Sequence, residues 1–119
     1  MSLVLIAEDS ASVRLLLLRR LEMAGHEVIE AHTGEEAVTA VRDEAGGRPD
    51  IVLLDGMMPD TTGPEILDRI KATRPEMPVL VVSGMPNLDT HEEWRAADGR
   101  LSKPIDFEDL LGRIDLLTA

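Results

Sequence analysis

The sequence has no cysteine and no tyrosine, and only one phenylalanine and one tryptophan among its 119 residues. Without cysteine there can be no disulfide, thiolate metal site or sulfur nucleophile, a usage that fits a cytoplasmic protein. The scarcity of aromatic rings leaves nothing to sandwich a flavin. Basic residues are also few: 12 Lys and Arg stand against 23 Asp and Glu, a net charge of −11. That balance argues against direct nucleic-acid binding, which needs a basic face. No apolar run reaches the roughly 18 residues of a membrane span, so no membrane insertion is expected. The N-terminus lacks the charged region and cleavage site of a signal peptide. Residues 1–119 have the length of a single domain, enough to bury a core without staples.

Short apolar runs alternate with helical patterns from end to end. Leu3–Ala7, Ile51–Leu54 and Val79–Val82 are continuous, rich in β-branched residues and bounded by Asp, Pro or Gly. They read as strands buried on both faces. Glu27–Ala31 and Gly99–Ser102 mix polar with apolar residues and read as edge strands. Ser10–Ala24 predicts a helix ending at Gly25, with leucines almost all round it and Leu15 and Leu18 as a possible docking face. Thr33-Gly34-Glu35-Glu36 has the form of a capping box. Gly63-Pro64 puts proline at the first position of a helix carrying Ile66, Leu67 and Ile70. A less periodic helix is expected over Asp89–Ala97. A last one opens at Asp106 and places Phe107, Leu110, Leu111, Ile114 and Leu117 at helical spacing. Arg42–Arg48 reads as a loop. This βαβαβαβαβα order implies an α/β fold, a doubly wound five-stranded parallel sheet with helices on both faces. The central character of the first, third and fourth strands selects the order 2-1-3-4-5, with its switch point between strands one and three.

Ligands bind such sheets outside the carboxyl ends of the strands, at the switch point. Glu8, Asp9 and Ser10 follow the first strand, the third ends in Asp55, the fourth in Ser83, and Lys103-Pro104 follows the fifth. Three converging carboxylates raise one another's pKa unless a cation sits among them. With hard oxygen donors only, that cation is Mg²⁺ or Mn²⁺ rather than Zn²⁺. The three histidines, His26, His32 and His91, are scattered and form no metal-ligand pattern. A divalent cation and a lysine together neutralise a phosphoryl group in transfer. A carboxylate between them is placed to act as nucleophile and form an acyl phosphate. Each residue alone has an ordinary explanation as a cap, a turn residue or a surface lysine. Their shared position at one end of consecutive strands points to a site.

In this order the residues resemble the receiver domains of response regulators, the phosphoacceptor modules of two-component signalling. The motifs are Glu8-Asp9, Asp55-Gly56-Met57-Met58-Pro59 followed by Gly63, Ser83-Gly84, and Asp98-Gly99-Arg100-Leu101-Ser102-Lys103-Pro104. The resemblance covers essentially the whole chain and implies a flavodoxin-like (βα)5 fold. It implies that Asp55 accepts a phosphoryl group from a histidine kinase or histidine phosphotransfer protein. Asp9 and Asp55 then ligate Mg²⁺, Glu8 acts through water, and Met57 contributes its backbone carbonyl. Lys103 pairs with a phosphoryl oxygen, Ser83 swings to bond the group, and the Lys103-Pro104 peptide is cis. Such a domain is no enzyme in the ordinary sense. It signals to a downstream protein by contact, as a monomer or a phosphorylation-dependent dimer.

Some positions depart from that pattern. Arg100 stands where the family usually has Tyr or Phe that rotates inward. A guanidinium is costly to bury, so Arg100 is expected to stay outside as a charged contact for a partner. The stretch from Ser83 to Lys103 is shorter than usual, which trims the fourth helix or its entry. Thr62 replaces a common Asp or Asn before Gly63, and Ile105 a frequent Phe. Trp94 is expected to pack the fourth helix, with Met85 as filler near the pocket. A flavin or nucleotide binder on this fold would need a Gly/Ser/Thr-rich phosphate loop after the first strand. A haloacid-dehalogenase-type phosphatase would need a second Asp where Met57 stands. The alternatives kept are a degenerate receiver that acts by contact alone, and a receiver excised from a larger regulator or hybrid kinase.

Overall fold

The computed structural model describes residues 1–56, 58–84 and 92–119. Its strands are β1 Leu3–Ala7, β2 Glu27–Ala31, β3 Ile51–Asp55, β4 Val79–Ser83 and β5 Gly99–Ser102. They pair in parallel in the order β2-β1-β3-β4-β5, as the hydrophobic pattern predicts. The register brings the carboxyl ends level: Ala7 lies opposite Ala31 and Leu54, Asp55 opposite Val82, and Ser83 opposite Ser102. The residues that follow the strands therefore share one edge of the sheet.

Side chains alternate across the sheet and feed two cores. Leu5, Ala7, Val52, Leu54, Val79 and Val81 pack on one face with Ala37, Val38, Val41, Ile66, Leu67 and Ile70. Those partners belong to α2 (Gly34–Asp43) and α3 (Gly63–Thr73). Val4, Ile6, Ile51, Leu53, Leu80 and Val82 pack on the other with Leu17, Leu21, Leu110 and Ile114. These come from α1 (Ala11–Met23) and α4 (Phe107–Leu117). Each such buried Val, Leu or Ile side chain contributes about 1.5–3 kcal/mol.

The helices begin where the sequence signals place them. Ser10, Thr33, Thr62 and Asp106 cap α1, α2, α3 and α4, accepting from the N–H groups of Val13, Glu36, Glu65 and Asp109. A cap of this kind is worth about 1 kcal/mol. Thr62 thus replaces an Asp or Asn without loss of the cap. Gly25, at φ +91°, closes α1 in the left-handed region that glycine tolerates.

Three details differ from expectation. α2 runs on to Asp43, so the loop begins at Glu44, two residues beyond Arg42. On α1 the exposed leucines are Leu15 and Leu16, whereas Leu18 is half-buried. The described end of the expected Asp89–Ala97 helix is a 3₁₀ turn, Glu92–Trp94. Its bonds run from Arg95 N–H to the Glu92 carbonyl and from Ala97 N–H to that of Trp94, because Trp94 has to dive into the core just before β5 begins. Met57, Met85 and residues 89–91, His91 among them, lie outside the described residues. No helix among the described residues is long and apolar enough to cross a membrane.

Candidate functional site

β1 and β3 are neighbours across the switch point, and the chain delivers a carboxylate at the end of each. Glu8 is buried, and its Oε1 lies 3.2 Å from the ammonium nitrogen of Lys103. The Oδ1 of Asp55 lies 3.4 Å from the same nitrogen. The Ser10 N–H donates to Glu8 Oε2 at 3.2 Å. Burial, and then the neighbouring Asp55, push the Glu8 carboxyl above its ordinary range, against the opposing pull of the Ser10 N–H and Lys103. Two carboxylates thus share one ammonium.

Lys103 is aimed by its backbone. Its N–H donates to the Ser83 carbonyl at 2.8 Å, and the Lys103-Pro104 peptide is cis, as the resemblance implies. Ser83 is buried next to Gly56. A Cβ on Gly56 would stand 2.5 Å from the Ser83 hydroxyl, so glycine there keeps space for that group.

Glu8, Asp55, Lys103 and Ser83 therefore gather as expected, while Asp9 is exposed and no contact links its carboxylate to them. Among the described residues no three acidic or histidine side chains are grouped to hold a metal ion. Like charges gather only around a compensating cation, and one ammonium compensates two carboxylates better than three. Glu8, buried, and Asp55, half-buried, still fit a hard divalent cation, because both offer carboxylate oxygens at one corner of the sheet edge. Asp9, next along the chain, is exposed to solvent.

Other features escaped the sequence reading. Asp60 accepts from the N–H groups of Gly34 at 2.8 Å and Glu35 at 3.0 Å, so the loop after Asp55 caps α2. Those bonds hold its carboxyl below the usual range, the Gly34 N–H most strongly. Trp94 is wholly buried, with its ring against Gly63 and near Gly56. It packs against the loop around the site. Arg100 is half-buried rather than standing out: its Nη1 donates to the Trp94 carbonyl at 3.5 Å. A guanidinium tolerates that position because its head finds a carbonyl. Arg14 reaches back from α1 to the Glu8 and Asp9 carbonyls. No local pattern marks any of these contacts, since the partners of Asp60 and Trp94 are remote in sequence and those of Arg14 are backbone atoms.

Comparison with known proteins agrees with this geometry. Residues 4–115 match the family model of the response regulator receiver domain. The chain is 36% identical over 113 residues to the DNA-binding transcriptional regulator NtrC of Rhizobium meliloti, covering 93% of this chain and 23% of NtrC. It is 34% identical over 116 residues to response regulator MprA of Mycobacterium avium, covering 96% of this chain and 50% of MprA. It thus spans no more than half the length of these relatives. The response regulator TrrA of Thermotoga maritima, solved in complex with Mg²⁺-BeF, superposes with a TM-score of 0.86 at 26% identity. That superposition covers 98% of this chain and 99% of TrrA. Sheet order, the acidic corner at the carboxyl edge and a match along almost the entire length lead to one assignment: the chain belongs to the receiver domains of two-component response regulators.

Proposed function

We propose that Asp55 is the phosphoacceptor of a two-component phosphorelay, and that residues 1–119 act as one receiver unit. The observation that carries this reading is the Glu8–Lys103–Asp55 triangle at the switch point, with its ammonium 3.2 and 3.4 Å from the two carboxylates. The donor is the phosphohistidine of a histidine kinase or histidine phosphotransfer protein. A carboxylate oxygen of Asp55 attacks phosphorus in line. The new P–O bond forms as the P–N bond breaks, and the imidazole leaves with that bond's electron pair. Lys103 turns its ammonium from the carboxylates to an equatorial phosphoryl oxygen as charge develops there. Ser83 gives its hydroxyl to the same group.

The donor set of Glu8, Asp9 and Asp55, with the Met57 carbonyl, suits Mg²⁺ or Mn²⁺, in keeping with the Mg²⁺-BeF complex of TrrA. When bound, the cation neutralises both the carboxylate surplus and the phosphoryl oxygens. The acyl phosphate carries about two negative charges and strong acceptor oxygens. Ser83 and Lys103 can bond those oxygens only while they are present, so phosphorylation biases the surface between two states. A downstream protein reads that surface, and hydrolysis resets it.

Incubation of the chain with Mg²⁺ and acetyl phosphate is expected to add one base-labile phosphoryl group, seen by intact mass, and Asp55→Asn to abolish it. An unmodified wild-type mass overturns the reading. Lys103→Ala is expected to bind Mg²⁺ yet lose the phosphorylation-dependent conformational change, followed by backbone amide chemical shifts. An undiminished change would remove Lys103 from its role.

A further inference from the structure

Arg14 is the fourth residue of α1, one turn beyond the Ser10 cap, where its N–H already donates to the Ser10 carbonyl at 2.9 Å. Its side chain is only 13% exposed and folds back toward the end of β1. There a single nitrogen, Nη1, donates to the Glu8 carbonyl at 2.9 Å and to the Asp9 carbonyl at 3.2 Å. Its Nε lies 3.3 Å from a carboxylate oxygen of Glu30 on β2. The Glu8 N–H is held in turn by the Ala31 carbonyl at 3.2 Å. The two acidic residues therefore have their peptide groups fixed from α1 and from β2, although Arg14 touches neither of their carboxylates.

We infer that Arg14 is a positioning residue for the acidic pair: by clamping the Glu8 and Asp9 carbonyls it sets the backbone from which both carboxylates reach a divalent cation. This rests on the Mg²⁺-dependent reading of the site. Two adjacent carbonyls turned to one donor restrict the torsions on either side of the Asp9 Cα, and with them the origin of its side chain. The planar guanidinium suits the task, because its fork serves the carbonyls and Glu30 at once where an ammonium is a single point of charge. A residue that orients ligands without binding the metal commonly changes affinity by tenfold or more.

The sign of the effect separates this role from its rivals. Arg14 is a cation near a cation site, so on charge alone its removal tightens Mg²⁺ binding. If it only supports the fold, its removal lowers stability and leaves the affinity of the folded protein unchanged. Positioning requires weaker binding. Mg²⁺ is titrated calorimetrically into wild type, Arg14→Gln, Arg14→Lys and Glu30→Gln, each shown to be folded by its thermal melt. Arg14→Gln is expected to weaken Mg²⁺ binding about tenfold, Arg14→Lys by less and Glu30→Gln least. The Mg²⁺ concentration for half-maximal phosphorylation by acetyl phosphate is expected to rise in step. Unchanged or tighter Mg²⁺ binding by folded Arg14→Gln overturns the inference. If that variant does not fold, unchanged or tighter binding by Arg14→Lys overturns it equally. A wild type that binds Mg²⁺ but takes no phosphoryl group defeats the phosphoacceptor reading alone, and leaves the Arg14 comparison decisive.

Discussion

On the Lys103 side of the Asp55–Gly56 step the molecule is held by charge, and on the Trp94 side by the absence of side chains. Glu8 and Asp55 face one ammonium, and burial together with the neighbouring Asp55 holds the Glu8 carboxyl above its ordinary range. Across the step, Gly56 and Gly63 have no Cβ; Ser83 occupies the room at the first and the Trp94 ring the room at the second. A Cβ on Gly63 would strike that ring and stand 2.8 Å from the Gly56 carbonyl. The first neighbourhood is poised to change partners; the second is close-packed and resists change. A phosphoryl switch needs both, since a local change of charge is transmitted only where the surrounding packing has discrete arrangements.

Substitutions can set the two sides against each other. Trp94→Ala is expected to have the largest effect, a loss of about 3–5 kcal/mol in urea unfolding. Trp94→Phe should lose less, because among the described residues the indole N–H has no hydrogen-bond partner to forfeit. Gly63→Ala comes next, at about 1–3 kcal/mol, from overpacking against Trp94. A Gly63→Ala protein as stable as wild type would show that the ring has room to move. On the charged side the sign reverses, and Glu8→Gln is expected to stabilise the protein at neutral pH. The Glu8 carboxyl titrates above its ordinary 4.5 in the fold, so the folded state holds its proton longer than the unfolded chain. Stability contributed by that group falls as pH rises from 4.5 through the raised value. The advantage of the variant should therefore close below 4.5, and Mg²⁺ should stabilise wild type more than the variant. A variant less stable than wild type at neutral pH would mean that Lys103 fully compensates the pair. Asp60→Asn should show the smallest effect. The Asp60 carboxyl lies below its ordinary 3.8, so its contribution is present above 3.8 and is lost as pH falls through the lowered value. A thermal-melt difference from wild type that persists unchanged at lower pH would argue against that cap.

Much of this was legible locally. The caps Ser10, Thr33, Thr62 and Asp106, the glycine at 25 and the apolar runs are signals within a few residues of the structure they cause. The same holds for Glu8, Asp55, Ser83 and Lys103, because in a parallel sheet the residue after each strand has one place to go. Asp9 shows where that logic stops: strand ends bring residues to one edge, but the rotamer and the balance of charge decide which carboxylates meet.

By itself, then, the sequence determined the strand order and the sheet edge at which Glu8, Asp55, Ser83 and Lys103 gather, since periodicity and strand ends are properties of short segments. Tertiary structure alone decided that Asp60 caps a helix 26 residues back, that Trp94 fills the space above Gly63 and that Arg14 grips the acidic turn. Those contacts join segments through backbone groups and empty volume, and neither leaves a mark on the order of side chains.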